Sequence, residues 1–394
     1  MTTSQTFDRR SGLAFIVAFG IVSFFADMAY EGMRGISGPF LATLGASGAI
    51  VGTVAGTGEL AGYILRLGSS RIVERTGLYW AVTLAGYAIQ MLAVPLMALA
   101  GAWWVAALLI VMERTGKAVR NPAANTMQSR AGEKIGQGWA FGLHEAMDQA
   151  GALMGPLIAA LVLAHHGRYE AAFLWLGIPA VLTLVSVLVV SIRFPYAGRI
   201  ERPSGAGAAQ AGLPRVFWFY VASGALTAFG FADYPLIAFH FSKAHVMSAT
   251  LIPILYSVAM GASGAGSLVF GRWFDARGLA VLAPGLVITA GSAPLLFLGG
   301  FDLAVLGALI WGLALGIHDA IMNAAVATMV PAHLRARAYG FFTAIYGVAW
   351  FAGSAAMGAL YDRSLLALVI VSVVAQAAAL APLVVAIRAQ RGPA

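Results

Sequence analysis

Apolar runs of about twenty residues recur along nearly the whole chain, and no other feature restricts its fold so strongly. Each run is long enough to cross a hydrocarbon core of ~30 Å as a helix. Hydrophobic residues make up 60% of the chain and charged residues only 10%, whereas a soluble domain carries roughly a quarter charged residues. The composition therefore predicts an all-α membrane protein and disfavours a large soluble helical protein.

Twelve membrane-spanning helices are predicted from these apolar runs. Glycines and mid-helix prolines would be awkward in soluble helices, but in a membrane bundle they permit close packing and bends. The predicted spans cover residues 13–37, 47–67, 78–99, 103–125, 137–163, 171–193, 214–240, 248–270, 279–300, 303–328, 338–361 and 364–387.

A repeated pattern divides the chain into two similar halves. Residues 70–77 and 271–278 each place a small residue first, an acid four positions on and a glycine three positions beyond. The two copies lie 201 residues apart, and Phe-Ala-Asp at 25–27 recurs 206 residues later at 231–233. Two similar halves in a membrane protein are typical of secondary transporters, which bind their substrates between the halves.

A polar segment rich in small residues separates the halves. Residues 196–213 contain glycine, alanine, serine and arginine and predict a flexible cytoplasmic linker. The predicted domains are therefore an N-terminal six-helix bundle over 1–195 and a C-terminal six-helix bundle over 214–394.

Basic residues predict the orientation of the chain in the membrane. With the N-terminus inside, 17 of the 24 Lys and Arg residues fall on the cytoplasmic side, and only Arg168, Lys243 and Arg363 fall on the other. This asymmetry predicts that both termini are cytoplasmic. The net charge of +8 thus reflects topology, and we expect no nucleic-acid partner. The absence of cysteine excludes disulfides and thiolate chemistry.

The repeated turn carries a family resemblance. It is similar to the Gly-x-Leu-Ala-Asp-Arg-x-Gly-Arg-Arg turn of the major facilitator superfamily, since Arg75 and Gly77 match and Glu74 replaces the aspartate. The second copy keeps Asp275 and Gly278. The resemblance implies twelve helices in two pseudo-symmetric bundles that rock about a central site, and it implies a gating role for the acids of the two turns. It also favours a bacterial inner membrane as the location.

A second element lies in the fifth predicted helix. Gly151, Gly155 and Pro156 resemble the Gly-x-x-x-Gly-Pro antiporter motif of the same superfamily, although Ala159-Ala160 stands where the family has Gly-Gly. Physically, such glycines let a neighbouring helix approach, and the proline permits a bend. The sequence leaves two interpretations open, an antiport-specific role and ordinary small-residue packing.

Two predicted spans carry charged side chains on one helical face, and charge inside a membrane is costly enough to indicate function. The spacing in both helices is i, i+4 and i+7, which places each set on one face. The two sets are Asp27, Glu31 and Arg34 in the first span, and Glu113, Lys117 and Arg120 in the fourth.

The resemblance implies that these two helices border the central cavity. One interpretation is an ion-pair lattice that fixes the two helices together, with Glu113 and Lys117 paired inside one helix. The other is substrate and proton handling, because Arg114, Lys117 and Arg120 cannot all pair with one acid. Surplus basic charge suits a carboxylate or phosphate on the substrate. Arg120 has a third interpretation, an anchor that reaches the cytoplasmic surface.

Further polar groups lie in other predicted spans. Glu59 stands midway along the second span, where it either carries a proton or bonds to an adjacent backbone across the glycine-rich face, and Asp233 lies in the seventh span. His318-Asp319 in the tenth span either relays a proton or has a capping or packing role. His144 and Asp148 share a face and resemble part of a zinc signature, but a zinc site needs a third ligand. We therefore expect no metal and no cofactor, and we expect Glu145 and Asp148 either to add acidity to the cavity or to pair with a base of the fourth span.

These observations predict a secondary active transporter and no enzymatic activity. We expect proton-coupled export of a small anionic or zwitterionic organic solute, with uptake by proton symport, export of cationic lipophilic drugs, and a ligand-binding membrane sensor as alternatives. The expected partners are the solute, protons and the lipid bilayer, and a monomer is expected. The predicted substrate-binding residues are Arg34, Lys117, Arg120, Asp233 and Asp319. The predicted proton-coupling residues are Asp27, Glu31, Glu59, Glu113, Asp148 and His318. The predicted gating residues are Glu74, Arg75, Gly77, Asp275, Gly278, Gly151, Gly155 and Pro156.

Overall fold

The computed structural model describes residues 7–133, 135–198, 212–331 and 334–390, and within them every regular element is helical. The α-helices are α1 (Arg9–Thr43), α2 (Gly48–Thr76), α3 (Tyr79–Leu96), α4 (Trp103–Gly132), α5 (Gln137–His166), α6 (Tyr169–Arg193), α7 (Arg215–Gly230), α8 (Tyr234–Lys243), α9 (Leu251–Arg277), α10 (Leu282–Leu298), α11 (Phe301–Met329), α12 (Arg335–Tyr361) and α13 (Leu365–Gln390).

The helices have the length and composition of membrane spans. In the described part of the chain, ten stretches are long and apolar enough to cross a bilayer. One of them, Leu251–Leu298, contains both α9 and α10. Helix α4 is not among the ten, since its middle carries the predicted charged face. The all-α membrane fold is confirmed, and the count of twelve spans stays a prediction.

The seventh predicted span is wrong as a single helix. Residues 214–240 form two helices, because α7 ends at Gly230 and α8 begins at Tyr234. Pro235 lies in the first turn of α8, where its missing N–H costs no helical hydrogen bond. Inside a continuous helix the same proline would clash with the preceding turn. Asp233 consequently lies at the N-terminal boundary of α8, with extended backbone angles, and not in mid-helix.

The break exposes backbone groups that the rest of the fold satisfies. The carbonyl of Ala232 accepts a hydrogen bond from the indole N–H of Trp311 at 2.8 Å. The carbonyl of Asp233 accepts from the backbone N–H groups of Leu236 and Ile237, at 3.1 and 3.2 Å. These bonds allow an irregular segment to persist inside a membrane protein, since each buried carbonyl needs a donor.

The described residues form two compact units. The first unit contains residues 7–36 and 61–198, and the second contains residues 37–60 and 212–390. The end of α1 and the beginning of α2 therefore pack with the second unit. Most of the predicted linker lies outside the described residues, and the predicted domain boundaries stay a prediction.

Glycines bring α2 and α12 into close contact within the second unit. A Cβ atom on Gly52 would lie 2.3 Å from the carbonyl oxygen of Ser354, and one on Gly358 would lie 2.4 Å from the carbonyl oxygen of Gly48. No side chain fits between these backbones, so the two helices pack on their glycine faces.

An aspartate from the end of α12 caps the beginning of α2. The carboxylate of Asp362 accepts hydrogen bonds from the backbone N–H groups of Gly48 and Ala49, both at 2.8 Å. The hydroxyl of Ser47 accepts from the N–H of Ile50 at 3.3 Å. Partial burial acts to raise the pKa of Asp362, but the two backbone N–H groups outweigh it and hold this pKa below its usual value. The first turn of α2 thus receives a negative charge that complements the helix dipole.

The repeated glycine ends a helix in both halves. Gly77 follows α2 with φ of +71°, and Gly278 follows α9 with φ of +60°. Their N–H groups bond back to the carbonyls of Val73 and Phe274. Left-handed geometry of this kind favours glycine, so the conserved spacing of the two copies places a helix terminator after each acid.

Removal of the Asp362 cap is expected to destabilise the protein. Asp362→Ala should lower the free energy of unfolding by ~1 kcal/mol, because two N–H groups of α2 lose their acceptors. Asp362→Asn keeps one acceptor oxygen and should lose less. Thermal unfolding of the purified protein in detergent measures both.

The same effect has an expected pH dependence. Since folding lowers the pKa of Asp362, its contribution is present above the unfolded pKa and is lost as pH falls through the folded pKa. The difference between the parent and Asp362→Ala should be constant from about pH 5 to about pH 8 and should shrink below about pH 4. A difference that grows on acidification would contradict the assignment.

Two glycines seven residues apart provide a test of opposite sign. Gly278 has φ of +60° and ψ of −147°, so Gly278→Ala should cost ~1–3 kcal/mol of stability through backbone strain. Gly271 lies inside α9 with open space around it, and Gly271→Ala should stabilise by ~0.5–1 kcal/mol. Thermal unfolding measures both, and equal effects would exclude a terminator role for Gly278.

Candidate functional site

A cavity of about 450 Å³ lies within the first unit, among α1, α4 and α5. Its walls combine acids, bases, amides and one phenyl ring. The lining residues are Asp27, Lys117, Arg120, Asn121, Asn125, Gln128, Phe141, Gly142, His144, Glu145 and Asp148.

Helix α4 presents one polar face to this cavity. Lys117, Asn121, Asn125 and Gln128 follow one another at i, i+4, i+8 and i+11, which is the spacing of a single helical stripe. The charged end of this stripe at Lys117 was predicted from the spacing, whereas its amide continuation toward the end of α4 was not.

Helix α5 approaches α1 through two glycines of the antiporter-like motif. A Cβ atom on Gly151 would lie 2.2 Å from the carbonyl oxygen of Phe24, and one on Gly155 would lie 2.1 Å from that of Met28. The predicted close approach is confirmed, and it brings Asp148 of α5 to the cavity that Asp27 of α1 also lines. Pro156 lies within α5, which continues past it. An antiport-specific role for the motif stays a prediction.

Lys117 connects α4 to α1. Its ammonium donates a hydrogen bond to the hydroxyl of Tyr30 and lies 4.0 Å from the centroid of the same ring. Lys117 and Arg120 are also the basic groups whose charges act on Asp27. The charged faces of α1 and α4 therefore meet around Asp27, Lys117 and Arg120.

Arg120 is held by α3. The side chain is only 5% exposed, its Nε donates to the amide oxygen of Gln90 at 2.7 Å, and its Nη1 donates to the hydroxyl of Tyr87 at 3.0 Å. The guanidinium also lies 4.2 Å from the centroid of the Tyr87 ring. The interpretation of Arg120 as an anchor at the cytoplasmic surface is wrong, because these contacts hold the side chain in the interior.

Gln90 joins two charged residues of α4. While its oxygen accepts from Arg120, its amide nitrogen donates to Glu113 Oε1 at 2.8 Å. Gln90 and Tyr87 were not predicted as site residues. Gln90 is a fully buried glutamine within the apolar α3, and this feature could have identified it, because a buried amide needs charged or polar partners.

Some predicted site residues form local ion pairs outside the cavity lining. Arg114 Nε lies 3.5 Å from Glu113 Oε2, and Arg34 Nη1 lies 3.9 Å from Glu31 Oε1. Each of these pairs lies within one helix. The predicted partner of Lys117 was Glu113, but Glu113 contacts Arg114 and Gln90 while Lys117 donates to Tyr30, and an ion-pair lattice between the two helices stays a prediction. Asp27, Lys117, Arg120 and Asp148 line the cavity.

His144 lies at the meeting point of three helices. Its Nε2 is 3.3 Å from Ser23 Oγ, 3.3 Å from Gln128 Nε2 and 3.5 Å from Asp148 Oδ2. The shared face of His144 and Asp148 is thus confirmed. Asp148 Oδ1 and His144 Nδ1 are buried, and neither has a hydrogen-bond partner in the described part of the chain.

The predicted site residues of the second unit have other surroundings. Asp233 is buried, and its carboxylate accepts from the indole N–H of Trp350 at 2.9 Å and from the hydroxyl of Ser354. His318 is buried with its ring 4.9 Å from that of Phe231. Glu59 is half-buried on α2 in the second unit. The Asp319 side chain lies outside the described residues.

The predicted gating acids lie at helix ends on the surface. Glu74 and Arg75 are exposed in the last turn of α2, and Asp275 is exposed in the last turn of α9. They are therefore accessible at the surface, and their gating role stays a prediction.

The sequence also matches a known family over most of its length. The sequence model of the Major Facilitator Superfamily matches residues 14–354. The chain belongs to the major facilitator superfamily. The predicted resemblance is confirmed, and the protein is an integral membrane protein of a transporter family.

Relatives and solved structures agree with this membership. Uncharacterized proteins of Mycobacterium tuberculosis and Mycobacterium bovis are each 39% identical over 376 residues, which cover 94% of this chain and 92% of theirs. The nucleoside transporter NupG, in a mutant form, aligns with a TM-score of 0.74 at 17% identity over 93% of this chain and 99% of its own. A mutant of the peptide transporter POT aligns with a TM-score of 0.75 at 14% identity over 98% and 99%.

A third structure, a bacterial homologue of the human lysosomal transporter Spinster, aligns with a TM-score of 0.72 at 14% identity over 96% of this chain and 97% of its own. At such identities these structures establish the superfamily fold and leave the cargo open.

Gln90 is expected to stabilise the first unit strongly. Gln90→Leu removes the acceptor of Arg120 and the donor to Glu113, and hydrogen bonds to charged groups contribute ~1.5–3 kcal/mol each. We expect the free energy of unfolding to fall by at least ~2 kcal/mol. Gln376 of α13 is a matched control, since it is buried and, among the residues that the structure describes, donates to the uncharged backbone carbonyl of Thr227 at 3.0 Å.

Gln376→Leu should therefore cost ~1 kcal/mol or less. Thermal or denaturant unfolding of both variants in one detergent measures the difference. If the two variants lose equal stability, Gln90 has no special role between the two charges.

Proposed function

We propose that this protein exports a small anionic or zwitterionic organic solute by alternating access, in exchange for protons, across a bacterial inner membrane with both termini in the cytoplasm. The observation that carries the proposal is the cavity of the first unit, which places Lys117 and Arg120 beside Asp27 and Asp148. Bases and acids on one cavity wall can bind a solute and carry protons at the same site.

The bases are suited to an anionic group. In the described part of the chain, the hydrogen bonds of Lys117 and Arg120 go to Tyr30, Gln90 and Tyr87, which carry no charge. A carboxylate or phosphate of the solute would supply the negative charge that these neutral partners do not. The cavity volume of about 450 Å³ falls within the range of roughly 300–1,000 Å³ of small-molecule sites. A structural neighbour of the POT family, with a TM-score of 0.74, was crystallised with 5-aminolevulinic acid, itself a small zwitterion.

Asp27 is our leading candidate for the proton carrier. It is buried, and the charges of Lys117 and Arg120 act on it. Burial favours a neutral carboxyl group, whereas a nearby base favours the carboxylate. A rearrangement that separates Asp27 from these bases would therefore make it take up a proton, and the reverse rearrangement would release the proton.

The remaining predicted residues support this core in our proposal. Glu31 with Arg34 forms an ion pair within α1, and Glu113 with Arg114 forms one within α4. Asp233 holds the break between α7 and α8 through Trp350. We also propose that Glu59, His318 and Asp319 take part in proton transfer or solute binding.

Transport by purified protein in liposomes tests the proposal. A pH gradient should drive solute movement against its own gradient in the parent protein. Asp27→Asn should abolish the pH-driven accumulation but keep solute exchange at equal pH on both sides, because the amide binds no proton. Asp302→Asn, an exposed aspartate at the beginning of α11, is the matched control and should transport like the parent.

Each alternative has its own outcome in this assay. Accumulation that follows the proton inward indicates uptake by symport. Flux of lipophilic cations but not of anions or zwitterions indicates drug export. Solute binding without flux indicates a sensor, and it would overturn the proposal altogether.

A further inference from the structure

We propose that the cavity of the first unit recognises a zwitterion, whose carboxylate binds Lys117 and Arg120 on α4 and whose ammonium group binds Asp148 and Glu145 on α5. This inference rests on the proposed transport function and narrows its substrate class. It assigns two subsites to two different helices of one cavity.

The charges that line the cavity favour a zwitterion. Three acids (Asp27, Glu145 and Asp148) and two bases (Lys117 and Arg120) line the cavity. An anion alone would leave the acids facing a negative solute, and a cation alone would leave the two bases facing a positive one. A solute with one group of each sign is attracted by both sets, since like charges in a desolvated site repel strongly.

The two bases and the acids Glu145 and Asp148 lie on separate helices. Lys117 and Arg120 are anchored away from α5, through Tyr30 of α1 and through Gln90 and Tyr87 of α3. Asp148 and Glu145 stand on α5, next to His144. The bases and acids are thus held by different neighbours, and a bridging solute can bind between them without breaking these contacts.

Asp148 has a buried oxygen that suits an ammonium group. Its Oδ2 lies 3.5 Å from His144 Nε2, whereas its Oδ1 is buried and has no hydrogen-bond partner in the described residues. A buried carboxylate oxygen without a donor is costly. An ammonium group carries three donors and a positive charge, so it would satisfy this oxygen. Glu145 is exposed and accepts from Gln149 at 3.0 Å, which leaves its second oxygen available at the mouth of the cavity.

The uncharged residues of the cavity wall suit a small polar solute. Asn121 and Asn125 supply donors and acceptors along α4, and Phe141 supplies an aromatic surface on α5. Amino acids and related compounds with a ring or a short polar chain match this combination of amides and one phenyl group.

The arrangement also explains why such a solute would exchange with protons. A carboxylate that pairs with the ammonium group cannot carry a proton at the same time. The titratable and charged groups around Asp148 are His144 and Glu145 on its own helix, Asp27 on α1, and Lys117 and Arg120 on α4. Solute release therefore leaves unpaired acids that bind protons, and solute binding expels them.

Thermal stabilisation of the purified protein tests the substrate class with sets of three matched probes. Phenylalanine is the zwitterion of the first set, N-acetylphenylalanine is its anion, and phenylalaninamide is its cation. The corresponding three forms of 5-aminopentanoic acid and of alanylalanine vary the distance between the charges. A ligand that binds the folded state raises the unfolding temperature according to its concentration over Kd.

We expect at least one zwitterion to stabilise the parent at roughly tenfold lower concentration than either of its capped forms. Asp148→Asn should remove this preference over the anion, while Lys117→Ala should remove the preference over the cation. Glu170→Gln is the matched control, because Glu170 is an acid outside the cavity that lies 3.5 Å from Arg168. It should keep the parent's preference.

Other outcomes overturn the inference. Equal stabilisation by a zwitterion and its anion, or by a zwitterion and its cation, removes one of the two subsites. If no zwitterion of the three sets stabilises the parent, recognition of compounds of this class is excluded. The proposed transport function fails separately, since it depends on flux in liposomes, and anion flux without zwitterion preference would keep the transport and discard this inference.

Discussion

A guanidinium buried in a membrane protein needs polar neighbours, and the packing around Arg120 depends on that requirement. A charge at membrane depth is costly unless hydrogen bonds and other charges compensate it. Arg120 obtains this compensation from Gln90 and Tyr87 of α3, and Gln90 in turn reaches Glu113 of α4. Gln90 thus links α3 to two charged residues of α4 that lie seven positions apart.

Close backbone contacts set the second condition of the fold. Gly151 and Gly155 let α5 lie directly against α1, which places Asp148 on the cavity opened by the polar face of α4. In the second unit, Gly52 and Gly358 have the same effect between α2 and α12. Helices in a membrane gain little from the hydrophobic effect when they associate, so small residues and polar contacts determine where they meet.

The sequence was sufficient for the features that depend on composition and helical period. Apolar length predicted the membrane fold, and the i, i+4, i+7 spacing predicted that Lys117 and Arg120 share a face. The sequence was insufficient for contacts between helices. The helical period identifies which residues of α4 share a face, but it does not show that Gln90 of α3 contacts them. The break at 231–233 was not predicted, because the apolar run over 214–240 indicated one span. Pro235 lies in the first turn of α8 and disfavours a continuous helix through this segment.

The mixture of charges in the cavity bears on how a transporter couples two fluxes. If the bases were alone, an anionic solute would bind regardless of the protonation of distant acids, and the two equilibria would be independent. Because Asp27 lies within the field of Lys117 and Arg120, a solute that occupies those bases must also change the balance between carboxyl and carboxylate. Coupling is a difference in binding free energy between protonation states. Acids and bases that share one small volume make this difference direct, and α1, α4 and α5 provide such an arrangement.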